Sequence, residues 1–156
     1  MMKTRIAVMA VAVSFAATAV CFAANPHMGS WKLNEGKSKL PPGMGKNTKV
    51  TYAEQKDKMK VTVKGADKDG KPTKAVWVGQ VDGKAYKTKG NLAWDSAAYK
   101  MVNDRTMDIT TMKDGKMVWS GRTTISADGK TRTVTYNGTG ADGKKFKAKG
   151  VYEKEG

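Results

Sequence analysis

Apolar and polar residues alternate along most of the chain after Ser30. In one such segment Met59, Val61 and Val63 occupy every second position, and lysine and threonine occupy the positions between them. The alternation recurs in segments 85–89, 97–102, 106–113 and 145–153. A period of two with lysine on one side is typical of antiparallel strands that have one buried and one solvated face. The pattern therefore indicates strands and no long amphipathic helix beyond residue 24.

The tripeptide Asp-Gly-Lys interrupts this pattern five times, beginning at Asp69, Asp82, Asp114, Asp128 and Asp142. Asp-Gly supplies the positive φ angles that tight hairpins need, so each copy predicts a turn between two strands. The sequence then predicts ten strands: Trp31–Asn34, Thr48–Glu54, Met59–Gly65, Thr73–Gln80, Lys84–Lys89, Ala97–Val102, Thr106–Lys113, Lys116–Ser126, Thr131–Asn137 and Lys145–Glu153.

Ten strands joined by short hairpins form a meander, which leaves long exposed edges unless the sheet closes or folds over. Closure removes the edges, so we predict an all-β fold, an antiparallel up-and-down β-barrel of about ten strands. A β-sandwich is the alternative. In the barrel the strand of Trp31 pairs with the strand that ends at Tyr152. The residues expected inside are Met59, Val61, Val63, Trp77, Tyr86, Tyr99, Met101, Met107 and Ile109.

The first 24 residues differ from the rest. Lys3 and Arg5 precede an apolar, alanine-rich run that small residues close at Ala23 and Ala24. This order predicts a cleaved secretory signal peptide over residues 1–24, with a membrane anchor as the alternative. Residues 25–156 then form a single domain, which we expect to be periplasmic or secreted.

Composition narrows the possible chemistry. The single cysteine, Cys21, lies in the predicted signal peptide, and His27 is the single histidine. A thiol nucleophile, a thiolate metal site and a histidine metal cluster are therefore all excluded from residues 25–156. We expect a protein that is not an enzyme and that has no metal and no cofactor.

The net charge of residues 25–156 favours anionic binding partners. Residues 1–24 hold two of the 29 basic residues and none of the 14 acidic ones, which leaves a formal charge of +13. Lysine dominates over arginine, whereas nucleic-acid readers favour arginine, so we expect no nucleic-acid partner. Anionic lipid head groups or cell-envelope polymers are possible partners. A solvated lysine coat is the alternative. On either reading we expect a monomer.

Two short motifs resemble one family at its two ends. Met28-Gly29-Ser30-Trp31 resembles the Gly-x-Trp opening of lipocalins and fatty-acid-binding proteins, and segment 151–155 is similar to the closing strand of the latter. The chain also resembles uncharacterised secreted bacterial proteins with a lipocalin-like domain. The resemblance implies a ligand-holding barrel over residues 25–156.

The resemblance also implies site residues. Fatty-acid-binding proteins often hold the ligand carboxylate with two arginines and a tyrosine; Tyr152 matches the tyrosine, Arg122 matches one arginine, and Gly150 replaces the other. Strict alternation places Trp119 inside and Arg122 outside. A bulge at Gly121 would turn Arg122 inward to meet Tyr152, and a neutral or weakly polar ligand would then be favoured.

Further aromatic residues complete the candidate ligand site. With Arg122 and Tyr152, it comprises Tyr52, Trp77, Tyr86, Tyr99, Trp119 and Phe146. Plain core packing is the alternative for these side chains. We therefore expect a secreted protein that binds a small apolar or amphipathic ligand; the alternative is a basic envelope-interaction or structural protein. A cavity above ~300 Å³ favours the first, and a solid core with lysines on one side favours the second.

Overall fold

The computed structural model describes residues 25–140 and 142–156, so the predicted signal peptide lies outside the described residues. Ten antiparallel strands pair in sequence order and close into a barrel. Their bounds are β1 Gly29–Leu33, β2 Lys46–Gln55, β3 Lys58–Ala66, β4 Pro72–Gly79, β5 Asp82–Gly90, β6 Ser96–Asn103, β7 Thr106–Lys113, β8 Lys116–Ile125, β9 Thr131–Thr139 and β10 Lys145–Glu155. The predicted all-β barrel is confirmed, and the sandwich alternative is excluded.

Strand β1 closes the barrel. Trp31 lies opposite Val50 of β2 on one side and Lys154 of β10 on the other, and Leu33 lies opposite Tyr152. The predicted pairing of the first and last strands is therefore confirmed. Because each strand has a partner on both sides, the sheet presents no free edge.

The connection between β1 and β2 lies against the outside of β10. It contains one short 3₁₀ helix, Glu35–Lys37. Ser38 Oγ accepts a hydrogen bond from the backbone N–H of Val151 at 2.9 Å and donates one to the carbonyl of Asn34 at 2.7 Å. Val151, which points outward from β10, is buried beneath this connection. In the described part of the chain no helix is both long and apolar enough to cross a membrane.

Inward-facing residues fill much of the barrel. Seven of the nine predicted interior residues are buried: Met59, Val61, Val63, Trp77, Tyr99, Met107 and Ile109. Met101 and Tyr86 are only half-buried and pack against the edge of this core. Strands β4 and β5 pair over only three positions, so the ring of Tyr86 lies at a break in the ladder. Its hydroxyl therefore reaches the surface and donates to Asp82 at 2.8 Å.

Four of the five Asp-Gly pairs lie in turns between strands, as predicted: those that begin at Asp69, Asp114, Asp128 and Asp142. The prediction for Asp82-Gly83 is wrong, because these are the first two residues of β5 and the connection from β4 consists of Gln80 and Val81. The register with β6 shifts there, and Gly83 has φ +82°. A glycine in the left-handed region suits a β-bulge as well as a hairpin turn, so the dipeptide alone does not separate the two.

One close approach between strands yields a stability prediction. A Cβ atom at Gly65 would overlap the carbonyl oxygen of Lys46 on β2. We expect Gly65→Ala to lower the free energy of unfolding by about 2–3 kcal/mol, because the backbones must separate. Gly36→Ala is the matched control, since its new methyl group meets no atom closer than 3.5 Å; it should change stability by less than about 0.5 kcal/mol. Urea titration of both variants checks this, and equal stabilities would contradict it.

Candidate ligand-binding site

A pocket of about 830 Å³ occupies one end of the barrel. It opens between four connections; these and the adjoining strand ends contribute segments 40–47, 66–69, 91–94, 139–140 and 144–146, together with Asp142. We call this space the mouth pocket. Its aromatic lining is formed by Trp94, Trp119, Tyr136, Phe146 and Tyr152. A volume of this size is within the range of small-molecule sites.

Trp94 comes from the connection between β5 and β6, which is anchored on both sides. The Asn91 carboxamide oxygen accepts from the backbone N–H of Lys74 at 2.8 Å, and its amide donates to the carbonyl of Pro72 at 3.1 Å. The backbone N–H of Asp95 donates to the carbonyl of Met112 at 2.9 Å. These bonds tie the loop to β4 and β7, and so hold Trp94 over the pocket.

Trp119 enters the barrel beside a β-bulge. Thr111 lies opposite Trp119 and Met112 opposite Met117, so Val118 is the extra residue of β8. The buried hydroxyl of Thr111 accepts from the N–H of Trp119 and donates to its carbonyl at 3.1 Å, which stabilises the irregular backbone. The bulge reverses the side-chain alternation, so Trp119 is buried while Met117 is 64% exposed.

The aromatic residues form a continuous column from the mouth into the barrel. Trp119 contacts Trp94 edge to face at 5.4 Å between ring centroids, and contacts Tyr136 in the same manner at 4.9 Å. The Tyr152 hydroxyl donates to the carbonyl of Asn47 at 2.9 Å and lies 3.4 Å from the Tyr136 hydroxyl. Since the Tyr152 proton is committed to Asn47, Tyr136 donates to Tyr152. The column thus has an apolar outer part and a polar inner part.

Arg132 of β9 lies at the inner end of this column and is only 3% exposed. Its Nη2 donates to the Tyr52 hydroxyl at 2.6 Å. Its guanidinium carbon lies 5.1 Å from the ring centroid of Tyr52 and 4.9 Å from that of Tyr152. A small void of about 30 Å³ adjoins it. Asn47, Trp94, Trp119 and Tyr136 line both this void and the mouth pocket, so the two spaces are neighbours.

The residues predicted for the ligand site fall into four groups. Trp119, Phe146 and Tyr152 line the mouth pocket, and Tyr52, Tyr99 and Trp119 line the inner void. Trp77 and Tyr86 line neither space: Trp77 is core, with its indole N–H donating to the carbonyl of Ala97 at 2.9 Å. Arg122 lies on the outer surface.

The inward orientation of Arg122 is therefore not found. Its Nε and Nη2 donate to the two carboxylate oxygens of Asp108, at 2.7 and 3.0 Å, and its side chain is 56% exposed. This ion pair holds the pKa of the Asp108 carboxyl below its usual range, chiefly through the hydrogen bond. Gly121 makes no bulge, because it pairs regularly with Ile109 and Tyr136. A Cβ at this position would lie 2.5 Å from the carbonyl oxygen of Thr135, which explains the glycine.

Gly150 does not leave open space either. A Cβ there would lie 3.0 Å from the ring of Tyr152 and 3.4 Å from the ring of Tyr136. The two tyrosines thus occupy the volume that a larger residue at position 150 would need. The arginine that meets Tyr152 is Arg132, which the sequence reasoning missed. Arg132, Val134 and Tyr136 occupy alternate positions of β9, so the alternation of the sequence does predict that Arg132 faces inward with the other two.

Comparisons with known proteins add two structural likenesses. No protein-family model matches the chain, and no curated protein matches it. A redesigned β-barrel has a TM-score of 0.46 and 17% identity, over 88% of this chain and 98% of that one. EF1p2_mFAP2b bound to DFHBI has a TM-score of 0.47 and 12% identity, over 85% of this chain and 97% of that one.

The opposite end of the barrel contains a buried histidine. His27 is fully buried, and its carbonyl accepts from the indole N–H of Trp31 at 2.9 Å. Burial, reinforced by the positive charge of Arg132, lowers the pKa of His27 from 6.5 to about 4. His27 is therefore neutral in the native protein at neutral pH.

This pKa predicts a loss of stability in mild acid. Below pH 6.5 the unfolded chain protonates His27 while the native chain does not until about pH 4, so the free energy of unfolding falls as the pH falls through this window. We expect a loss on the order of 1 kcal/mol between pH 7 and pH 5 in urea titrations. His27→Gln should remove this part of the slope; an unchanged slope in that variant would assign it to other groups.

Proposed function

We propose that this protein is a secreted, non-enzymatic binding protein of the lipocalin-like type, which holds a small apolar or amphipathic molecule in the mouth pocket. The observation that carries the proposal is the aromatic-lined space of about 830 Å³ at one end of a closed barrel. Apolar walls with a few polar groups are typical of small-molecule sites. The opposite end is packed by Trp31 and His27, so a ligand enters through the mouth.

Export is part of the proposal and rests on the sequence. Lys3 and Arg5, the apolar run and the small residues at 23–24 support a signal peptide. Native mass spectrometry of protein purified from its own host is the direct test of both parts. Release of a stoichiometric small molecule would identify the ligand, and the mass of the polypeptide would show whether residues 1–24 are removed.

Trp94 offers a specific test of the mouth pocket. It is half-buried on the pocket wall and stacks edge to face on Trp119. We expect Trp94→Ala to weaken binding of the neutral fluorescent probe Nile red about five- to tenfold, because a large aromatic contact is lost. Met117→Ala is the control, since Met117 is exposed near the same end of the barrel. Equal affinities of Trp94→Ala and the wild type in fluorescence titrations would place the probe elsewhere.

A second candidate function is supported by the distribution of lysines. Strands β6 to β9 carry only three, Lys100, Lys113 and Lys116, and the other strand lysines lie on β1 to β5 and β10. One row crosses four neighbouring strands, because the register pairs successive members: Lys32, Lys49, Lys64 and Lys74. All four are exposed, and Lys49 is paired with Glu155 at 2.8 Å. Like charges opposite each other destabilise a sheet, which favours a role for this lysine row in contact with an anionic lipid surface.

Vesicle binding tests this second candidate. We expect wild-type protein to bind vesicles that contain phosphatidylglycerol at low salt and not vesicles of pure phosphatidylcholine. Replacing Lys32, Lys49, Lys64 and Lys74 together by glutamine should weaken binding at least tenfold. The matched control replaces Lys100, Lys113, Lys116 and Lys130 and changes the net charge equally. Equal losses in the two variants, measured by co-sedimentation, would mean that net charge alone is responsible.

A further inference from the structure

The outward-facing residues of β7 and β8 carry no net charge. We call them the neutral face, which comprises Thr106, Asp108, Thr110 and Met112 on β7 and Met117, Ser120, Arg122 and Thr124 on β8. Its two charged side chains neutralise each other, since Arg122 Nε lies 2.7 Å from Oδ1 of Asp108. Lys113 and Lys116, at the turn between the strands, occupy the opposite positions in the alternation and therefore lie outside this face.

The neutral face lies on the side of the barrel opposite the lysine row. In the ring of ten strands, five strands separate the junction of β7 and β8 from the junction of β2 and β3 in either direction. The lysine row crosses β1 to β4 and is therefore centred on the junction of β2 and β3. The barrel thus has a cationic side and a neutral side.

This distribution matters for contacts between copies of the chain. Residues 25–156 carry a formal charge of +13, so two copies repel each other in most orientations. Contact through the neutral face places the two lysine rows on the far sides of the pair, where their repulsion is weakest. The expectation of a monomer rested on the total charge and not on its distribution over the surface.

Apolar exposure is concentrated on the same side. Among the described residues the exposed large hydrophobic side chains are Met117, at 64%, and Val102, at 48%. Met117 belongs to the neutral face, and Val102 lies on the adjoining strand β6. Methionine is enriched in protein–protein interfaces and lysine is depleted there, so the composition of this side suits a protein contact.

The residues of the neutral face are arranged so that the face is complementary to itself. A two-fold axis parallel to the strands and midway between β7 and β8 places each residue of β7 against the residue of the partner's β8 that pairs with it in the ladder. The ladder pairs are Thr106 with Thr124, Asp108 with Arg122, Thr110 with Ser120, and Met112 with Met117. Each position therefore meets a side chain of matching chemistry, and packing of two sheets with aligned strands is common.

The charges at the centre of this arrangement alternate in sign. Asp108 of one copy faces Arg122 of the other, and each remains beside its own ion-pair partner. Arg122 uses Nε and Nη2 for its own Asp108, so further N–H groups are left for a second carboxylate. Two acids and two guanidinium groups thus form a closed set of four alternating charges.

We propose that this protein forms a symmetric dimer through the neutral face, with the two-fold axis between β7 and β8. The partner is a second copy of the chain. A curved barrel brings few strands into contact, so we expect a weak dimer with a dissociation constant on the order of 10–100 µM. The interface includes neither the lysine row nor the aromatic lining of the mouth pocket, so the proposal does not rest on either candidate function.

Sedimentation equilibrium of the protein purified from its own host tests the proposal. We expect a monomer–dimer equilibrium that shifts at least about threefold towards the dimer when the salt concentration rises from about 0.05 to 0.5 M, because salt screens the repulsion between two cationic copies. A wild type that stays monomeric at about 1 mM in the higher salt would overturn the proposal. Association beyond the dimer would overturn it as well, because a two-fold contact closes on itself.

Two charge reversals test the position of the axis. Asp108→Arg places four positive charges at the centre of the interface, and Arg122→Asp places four negative charges there. We expect each variant alone to dimerise at least about tenfold more weakly than the wild type. An equimolar mixture of the two should form a one-to-one heterodimer, because two arginines of one copy then face two aspartates of the other. Dimers of either variant as tight as the wild type, or no association in the mixture, would overturn the proposed interface.

Matched controls separate the local contact from net charge and from folding. Lys49 and Glu155 form an exposed ion pair away from the neutral face, at 2.8 Å. Lys49→Asp and Glu155→Arg change the net charge by the same amounts as the two test variants and should dimerise within about threefold of the wild type. Losses equal to those of the test variants would assign the effect to net charge and overturn the proposal. Heterodimer formation shows by itself that both test variants are folded, and near-ultraviolet circular dichroism checks each one alone.

Discussion

The position of β1 between β10 and β2 is the constraint on which the rest of this structure depends. Trp31 is paired on both sides, with Val50 and Lys154, and its indole N–H is satisfied by the carbonyl of His27. If β1 were absent, β2 and β10 would each present an unpaired row of backbone donors and acceptors. The register of each ladder is set by the apolar pattern of its strands and by the turns that join them, and a one-residue slip in any strand would move its interior side chains to the solvent.

A narrow closed barrel has little room inside, and the chain meets this limit by placing glycines beside large rings. The rings of Tyr136 and Tyr152 lie over Gly150, and the ring of Trp119 lies within 3.3 Å of where a Cβ of Gly121 would be. This packing makes the inner half of the barrel nearly solid, with a void of about 30 Å³. The mouth is different because connections, including the one that carries Trp94, contribute to its walls together with the strand residues Trp119, Tyr136 and Tyr152. The same fold therefore contains both a packed core and an open pocket, each at its own end.

Alternation along single strands predicted much of the fold, because in a regular strand every second side chain points into the barrel. It was insufficient where the ladder is irregular. The bulge at Val118 is stabilised by Thr111 on the neighbouring strand, so the sequence of β8 alone does not reveal it. Trp94 was missed because a loop has no periodicity, although it is central to the mouth pocket. Arg132 occupies an inward position in the alternation of β9, whereas the family motif matches Arg122, which lies outside and forms an ion pair with Asp108.

Positively charged side chains are present both on the outer surface and inside the barrel, and they bear on both candidate functions. The outside carries a row of lysines whose mutual repulsion the fold tolerates, and the inside carries Arg132 with two nitrogens unpartnered in the described part of the chain. Each arrangement costs stability in the isolated protein, and such costs in native proteins are concentrated at functional sites. Negative charge is the one chemical property that would relieve both.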